Sequence, residues 1–322
     1  MSLYDEYLKK FQEINDYTHN PLIGSINLHL IEAVEIKSSH DPFLKEITKK
    51  LYDFLSKLRI DGYREWIEVY TIYSEAELYL KLSGKIAIEH IKEEQGQKTP
   101  DFKVTIRKKE YGIELKSVSF ADAFVNYREV LAEGLEKKIE IEDQIANGET
   151  LIVTEQSIAP YTRKQPGNSK SQIINSLINK IEQNLKQDQF KFIEPTILLI
   201  NLSQLGTASS TDNSIKPFFL STHIHNKKVI ANGELWHTAF GTAGNTIWKE
   251  PMGYNDDIFD RKQEKDGILV SYPWIRGLIF YSQKHSSKQD NFLGLYRSDD
   301  LDVYPLLENI CNYINDDKNS LV

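Results

Sequence analysis

At Lys85 the texture of the chain changes, and that change constrains the fold more than any other feature. Upstream, apolar residues recur at helical spacing: Leu3, Tyr4, Tyr7, Leu8 and Phe11, then Phe43, Ile47, Leu51, Phe54 and Leu58. Asn20, Pro21 and Gly24 separate the two stretches. A further helix is predicted from Tyr63 to Leu82, stopping at Ser83-Gly84, where glycine suits a helix C-terminus. From Lys85 to Ile91 (KIAIEHI) polar and apolar residues instead alternate, the pattern of a strand with one exposed face. Phe102–Ile106 and Tyr111–Val118 repeat it across the charged turn RKKE, so a strand meander with short connections is predicted.

Beyond the meander, residues 121–146 read as a charged helix ending at Asn147-Gly148, and LIVTE as a short strand. The polar, proline-bearing APYTRKQPGNSK is predicted to be a loop. Helix returns over Ser171–Gln187, with Ile173, Ile174, Leu177, Ile178, Ile181 and Leu185 on one face. The unbroken apolar run PTILLINLS suits a strand covered on both faces, and Ile275–Tyr281 (IRGLIFY) is a second such strand. Val303–Ile314 is predicted as a closing helix, whereas periodicity does not order the short strand-like pieces of 217–250. The fold class is therefore α/β: a mixed sheet core flanked by helices, with a helical extension over residues 1–62.

Composition narrows the classes of function. No run approaches the ~20 apolar residues that span a bilayer. The N-terminal segment MSLYDEYLKKFQEIND is charged and lacks the apolar core of a signal peptide. Cys311 is the sole cysteine, so no intramolecular disulfide forms and a reducing, cytoplasmic setting is expected. The net charge of -8 argues against tight non-specific binding to nucleic acid, though not against a local basic face.

Asp101, Glu114 and Lys116 form the constellation with chemical content. Residues two apart on a strand share a face, so Glu114 and Lys116 project together while Ile113 and Leu115 turn the other way. Asp101 opens the preceding strand, and an antiparallel turn brings that strand beside Glu114. Two carboxylates then converge where a hard cation could bind, with an ammonium alongside. Such a set suits phosphodiester hydrolysis: the carboxylates hold a metal that activates water, and the lysine orients or deprotonates that water. The bland alternatives are an exposed cross-strand ion pair for Glu114 and Lys116, and a post-proline turn residue for Asp101.

Thr99-Pro100-Asp101-Phe102 followed by Ile113-Glu114-Leu115-Lys116-Ser117 resembles the paired motif of the PD-(D/E)xK, or restriction-endonuclease-like, nuclease superfamily. The element order over about 63–202 resembles that superfamily too: an acid-bearing helix, a three-strand meander, a helix and a fourth strand. The resemblance implies a nuclease-like domain over 63–322, with insertions near 121–170 and 203–270. It implies Mg²⁺, replaceable by Mn²⁺, held by Asp101, Glu114 and the Leu115 carbonyl. The helix acid maps to Glu75 or Glu77, with Glu75 preferred, and Lys186 or Gln187 matches a polar residue often found on the later helix. The implied activity is that of a DNA endonuclease of the restriction or defence kind, with RNA as another possible substrate and a homodimer as the assembly. The alternative is an inactive protein of the same fold that binds nucleic acid or a partner subunit.

Other features weigh less. His223 and His225 alternate like metal ligands, with His237 further along, but no cysteine or regular spacing completes a zinc set. A hydrolase built on these histidines is the rival from another enzyme class. Trp236, Phe240 and Trp248 could stack on bases, though core packing is the ordinary role of such residues. Arg163, Lys164 and Lys170 make a small basic group, and Asp256, Asp257 and Asp260 lack the glycine and final glutamate of a calcium loop.

Overall fold

The computed structural model describes residues 2–15, 26–58, 63–92, 98–118, 127–149, 151–152, 170–183, 185–203, 223–225, 228–230, 233–248, 259–284 and 289–318. The chain forms two units. The first comprises Met1–Lys81, Ala123–Pro160 and Thr207–Ser210; the second holds Leu82–Asp122, Tyr161–Gly206 and Thr211–Val322.

The first unit is helical. Ahead of α4 (Tyr63–Ser83) the described residues form three helices rather than the two stretches read from periodicity: α1 (Leu3–Asn15), α2 (Leu28–Lys37) and α3 (Pro42–Lys57). Local chemistry explains the extra break. Asn27 caps α2 by accepting from the His29 amide, and Asp41 caps α3 by accepting from the Phe43 and Leu44 amides, with Pro42 in the first turn. Helix α3 buries Leu44, Ile47, Leu51 and Leu55, each three or four residues after the last. The second carboxylate oxygen of Asp41 accepts from the Tyr79 hydroxyl at 2.7 Å, tying α3 to α4. Also here is α5 (Tyr127–Ala146), matching the predicted helix over its described length; residues 119–126 lie outside the description.

The second unit is built on a seven-stranded mixed sheet in the order β1-β2-β3-β4-β9-β10-β11. The meander supplies β1 (Ile88–His90), β2 (Phe102–Ile106) and β3 (Lys109–Ser117), paired antiparallel. Helices α6 (Lys170–Glu182) and α7 (Gln187–Lys191) precede β4 (Thr196–Asn201), which runs parallel to β3. A short hairpin of β5 (His223–His225) and β6 (Lys228–Ile230), helix α8 (Glu234–Phe240), a second hairpin of β7 (Thr246–Trp248) and β8 (Phe259–Lys262), and α9 (Ile268–Ser271) follow. Strand β9 (Gly277–Lys284) is parallel to β4; β10 (Gln289–Tyr296) is antiparallel to β9. The chain closes with α10 (Tyr304–Ile310) and β11 (Tyr313–Asp316), parallel to β10.

Three expectations are corrected. The helix predicted over 171–187 ends at Glu182, and Gln187 instead opens the separate short helix α7. The closing helix predicted over 303–314 stops at Ile310, and its last residues enter β11, where pairing with β10 overrides helical propensity. Leu151 and Ile152, taken as the start of a strand, are in none, and the rest of LIVTE lies outside the described residues.

Register assigns the faces. Gly112, Glu114 and Lys116 stand opposite Thr196, Leu198 and Ile200 of β4, and Leu198 and Ile200 stand opposite Leu278 and Phe280 of β9. On this face Ile174, Leu177, Ile178 and Ile181 of α6 join one buried cluster with Leu198, Ile200, Leu278, Phe280, Leu293 and Leu295. Each such side chain withdrawn from water contributes on the order of 1.5–3 kcal/mol. Gly112 marks a close approach: a Cβ there would collide with Thr196 Oγ1 and stand 3.2 Å from Pro100 Cγ. Among the described residues no helix is long and apolar enough to cross a membrane.

Candidate active site

Asp101 sits just ahead of β2, behind the buried Thr99-Pro100 pair. Its carbonyl accepts from the Ile91 amide at 2.9 Å, which pins the backbone against the end of β1. The pairing of Phe102 with Ile113 places Asp101 at the level of Glu114, one step past the end of the β2–β3 ladder. The amides of Gly112 and Val118 donate to Pro195 and Asn201 carbonyls on the β4 side. Even-numbered residues of β3 therefore bond towards β4, and odd-numbered ones towards β2. At Leu115, where β2 has ended, the amide is taken by Asp101 Oδ2 at 2.7 Å. The Leu115 carbonyl points to that same edge.

Glu114 and Lys116 share the sheet face covered by α6, an apolar environment for two charged groups. Each finds a specific partner. Gln189, on α7, donates from Nε2 to Glu114 Oε1 at 2.8 Å. Lys116 Nζ donates to the Ile181 carbonyl at 2.7 Å, in the last turn of α6, where carbonyls lack partners within the helix. Burial pushes the Lys116 ammonium down to about 8, with the Glu114 charge opposing the fall. Neither is an exposed surface charge: both side chains are partly buried and engaged by helices.

The structure thus brings Asp101, Glu114, Leu115 and Lys116 together on neighbouring strands of one unit. The helix acids belong to the other unit. Glu77 is buried on α4 and ion-paired with Lys81 at 2.9 Å, while Glu75 is partly buried one turn before the core residue Tyr79. Of the later polar residues, Lys186 occupies the N-cap of α7 without a side-chain cap bond. The residue that reaches Glu114 is Gln189, which the sequence reading missed. A five-residue helix carries no apolar periodicity from which to choose among Gln187, Asp188 and Gln189.

His237 is a core residue: buried, with Nδ1 3.0 Å from Gln263 Oε1 and the Trp236 ring edge-on at 5.3 Å. Trp236 also packs on Phe240 at 5.7 Å. The side chains of His223, His225, Trp248 and Asp260 are outside the described set, as are residues Arg163, Lys164, Asp256 and Asp257; Lys170 opens α6.

Among the described residues no three His, Cys, Asp or Glu side chains gather into a metal cage. Asp101, Glu114 and the Leu115 carbonyl are hard oxygen donors. Mg²⁺ is commonly held by one or two carboxylates, with water and substrate phosphate completing its shell, so this donor set fits it. No protein-family model, curated protein or solved structure matches the chain.

Proposed function

We propose that the protein is a Mg²⁺-dependent endonuclease of the PD-(D/E)xK type that hydrolyses DNA phosphodiester bonds. The observation that carries this reading is the hydrogen bond from the Leu115 amide to Asp101 Oδ2, which fastens the aspartate of the first half-motif to the strand bearing the second. In this reading Asp101, Glu114 and the Leu115 carbonyl hold the ion. Bound Mg²⁺ supplies a polarised phosphate oxygen and a more acidic water. Lys116, its ammonium pushed down to about 8 by burial, orients the attacking water or helps to deprotonate it. Gln189, by donating to Glu114 Oε1, would hold that carboxylate in one orientation for binding the ion.

One observation favours a second reading, a nuclease-like fold without catalysis that binds nucleic acid or a partner subunit. Lys116 Nζ already serves the Ile181 carbonyl, the job of a structural cap on α6. Incubating the protein with plasmid, single-stranded DNA and RNA, with and without Mg²⁺ or Mn²⁺, separates the two. Metal-dependent cleavage abolished by both Asp101→Ala and Lys116→Ala in folded protein supports catalysis. Cleavage that survives either change, or no cleavage of any substrate, defeats it.

A further inference from the structure

A cavity of about 280 Å³ opens where β3 begins and where β4 and β9 start, beside α7. It is separate from Glu114, which lies five residues further along β3. Its aromatic wall is formed by Phe190 and Trp274, which meet edge to face with ring centroids 4.7 Å apart, and by Pro195; Phe190 is buried and Trp274 partly exposed. Its rim carries charges of both signs. Lys109, Lys191 and Arg276 supply cations, and Glu194 and Asp302 supply carboxylates. Arg276 is held by Asp300 through its terminal nitrogen, while its Nε–H is buried and has no acceptor among the described residues. Lys109 reaches Asp302 at 3.4 Å and Lys191 reaches Asp188 at 3.4 Å, each from a partly exposed position.

We infer that this cavity is a binding site for a single nucleotide, a ligand that is at once aromatic, hydroxylated and anionic. The base stacks on Trp274, whose face tolerates any base, with the buried Phe190 supporting that ring from the side. Ribose hydroxyls or exocyclic amines donate to Glu194 and Asp302, and the phosphate takes Lys109, Lys191 and the exposed part of the Arg276 guanidinium. The volume is near the lower bound of ordinary ligand pockets, which suits a mononucleotide rather than a longer strand. Helix α7 links this cavity to the candidate active site. Gln187, Phe190 and Lys191 line the cavity, and Gln189 between them holds Glu114, so a nucleotide that orders α7 also orders Glu114. That last link rests on the nuclease reading; the binding itself does not.

The test is calorimetric titration of the full chain with AMP, CMP, GMP and UMP in EDTA, with tryptophan fluorescence and hydrogen exchange followed alongside. Saturable binding of at least one of them is expected, with quenched fluorescence and slowed exchange over residues 187–191. Trp274→Ala weakens that binding by about tenfold, as for loss of one base–aromatic stack, and Lys191→Glu, at an exposed position, weakens it without touching the core. The inference fails if none of the four binds, if inorganic phosphate binds as tightly as the nucleotide, or if both variants bind like wild type. Because no divalent ion is present, failure here leaves the cleavage assay to be judged separately, and the reverse also holds.

Discussion

Asp101 Oδ2 accepts the Leu115 amide at 2.7 Å, so one side chain does the work of a missing ladder bond where β2 has ended. This couples fold and chemistry at one carboxylate, and the two roles can be separated. Asp101→Asn keeps an oxygen acceptor for the amide but removes the charge. It is expected to lose Mg²⁺-dependent cleavage while unfolding within error of wild type. Asp101→Ala loses both, and its urea midpoint falls by the equivalent of about 1–2 kcal/mol. Equal destabilisation of the two variants would refute the separation.

Lys116 makes stability depend on pH with a definite sign. Its folded value, near 8, lies below its ordinary value of 10.5. Between those two the unfolded chain binds more protons than the folded one, so stability rises with pH across that window. Below about 8 both states are protonated and the burial penalty on the ammonium is fully present. Lys116→Met removes this slope. Unfolding in urea at several pH values across the window checks it, and an unchanged slope in the variant would show that another group titrates.

Gln189→Leu keeps the volume at this position of α7 but removes the donor to Glu114 Oε1. The expected result is a folded protein whose cleavage requires about tenfold more Mg²⁺, the usual effect of losing a group that orients a metal-bound carboxylate. Gln189→Glu, which sets two carboxylates against each other, should be worse than leucine. The Mg²⁺ concentration at half-maximal rate measures both.

Gly112 allows β3 and β4 to close on Thr196 and Pro100. Gly112→Val forces that contact apart two residues before Glu114 and is expected to destabilise the chain by about 1–3 kcal/mol. The midpoint of thermal unfolding tests this, and a variant as stable as wild type would mean the strands shift freely.

The meander was legible from the sequence because apolar residues recur at every second position of β2 and β3, even though β3 is covered on both faces. Phe102, Val104 and Ile106 are buried, as are Tyr111 and Ile113. The strand at Thr196–Asn201 was legible for the opposite reason, being buried on every residue. Strand β10 was missed although Phe292 to Tyr296 are buried without a break: the run FLGLY is short, contains Gly294 and follows the polar Gln289-Asp290-Asn291. The Asp101, Glu114 and Lys116 grouping could be read because strand spacing fixes which residues share a face. Their partners could not: Gln189 lies on a helix too short to show a period, and Ile181 acts through its main-chain carbonyl, which side-chain periodicity does not report.

The two units are interleaved along the chain, which passes from the first to the second after Lys81, back at Ala123, and across again at Tyr161. No single cut yields both units whole. A gene fusion or recombination that moved either one as a module would have to carry several separate coding segments.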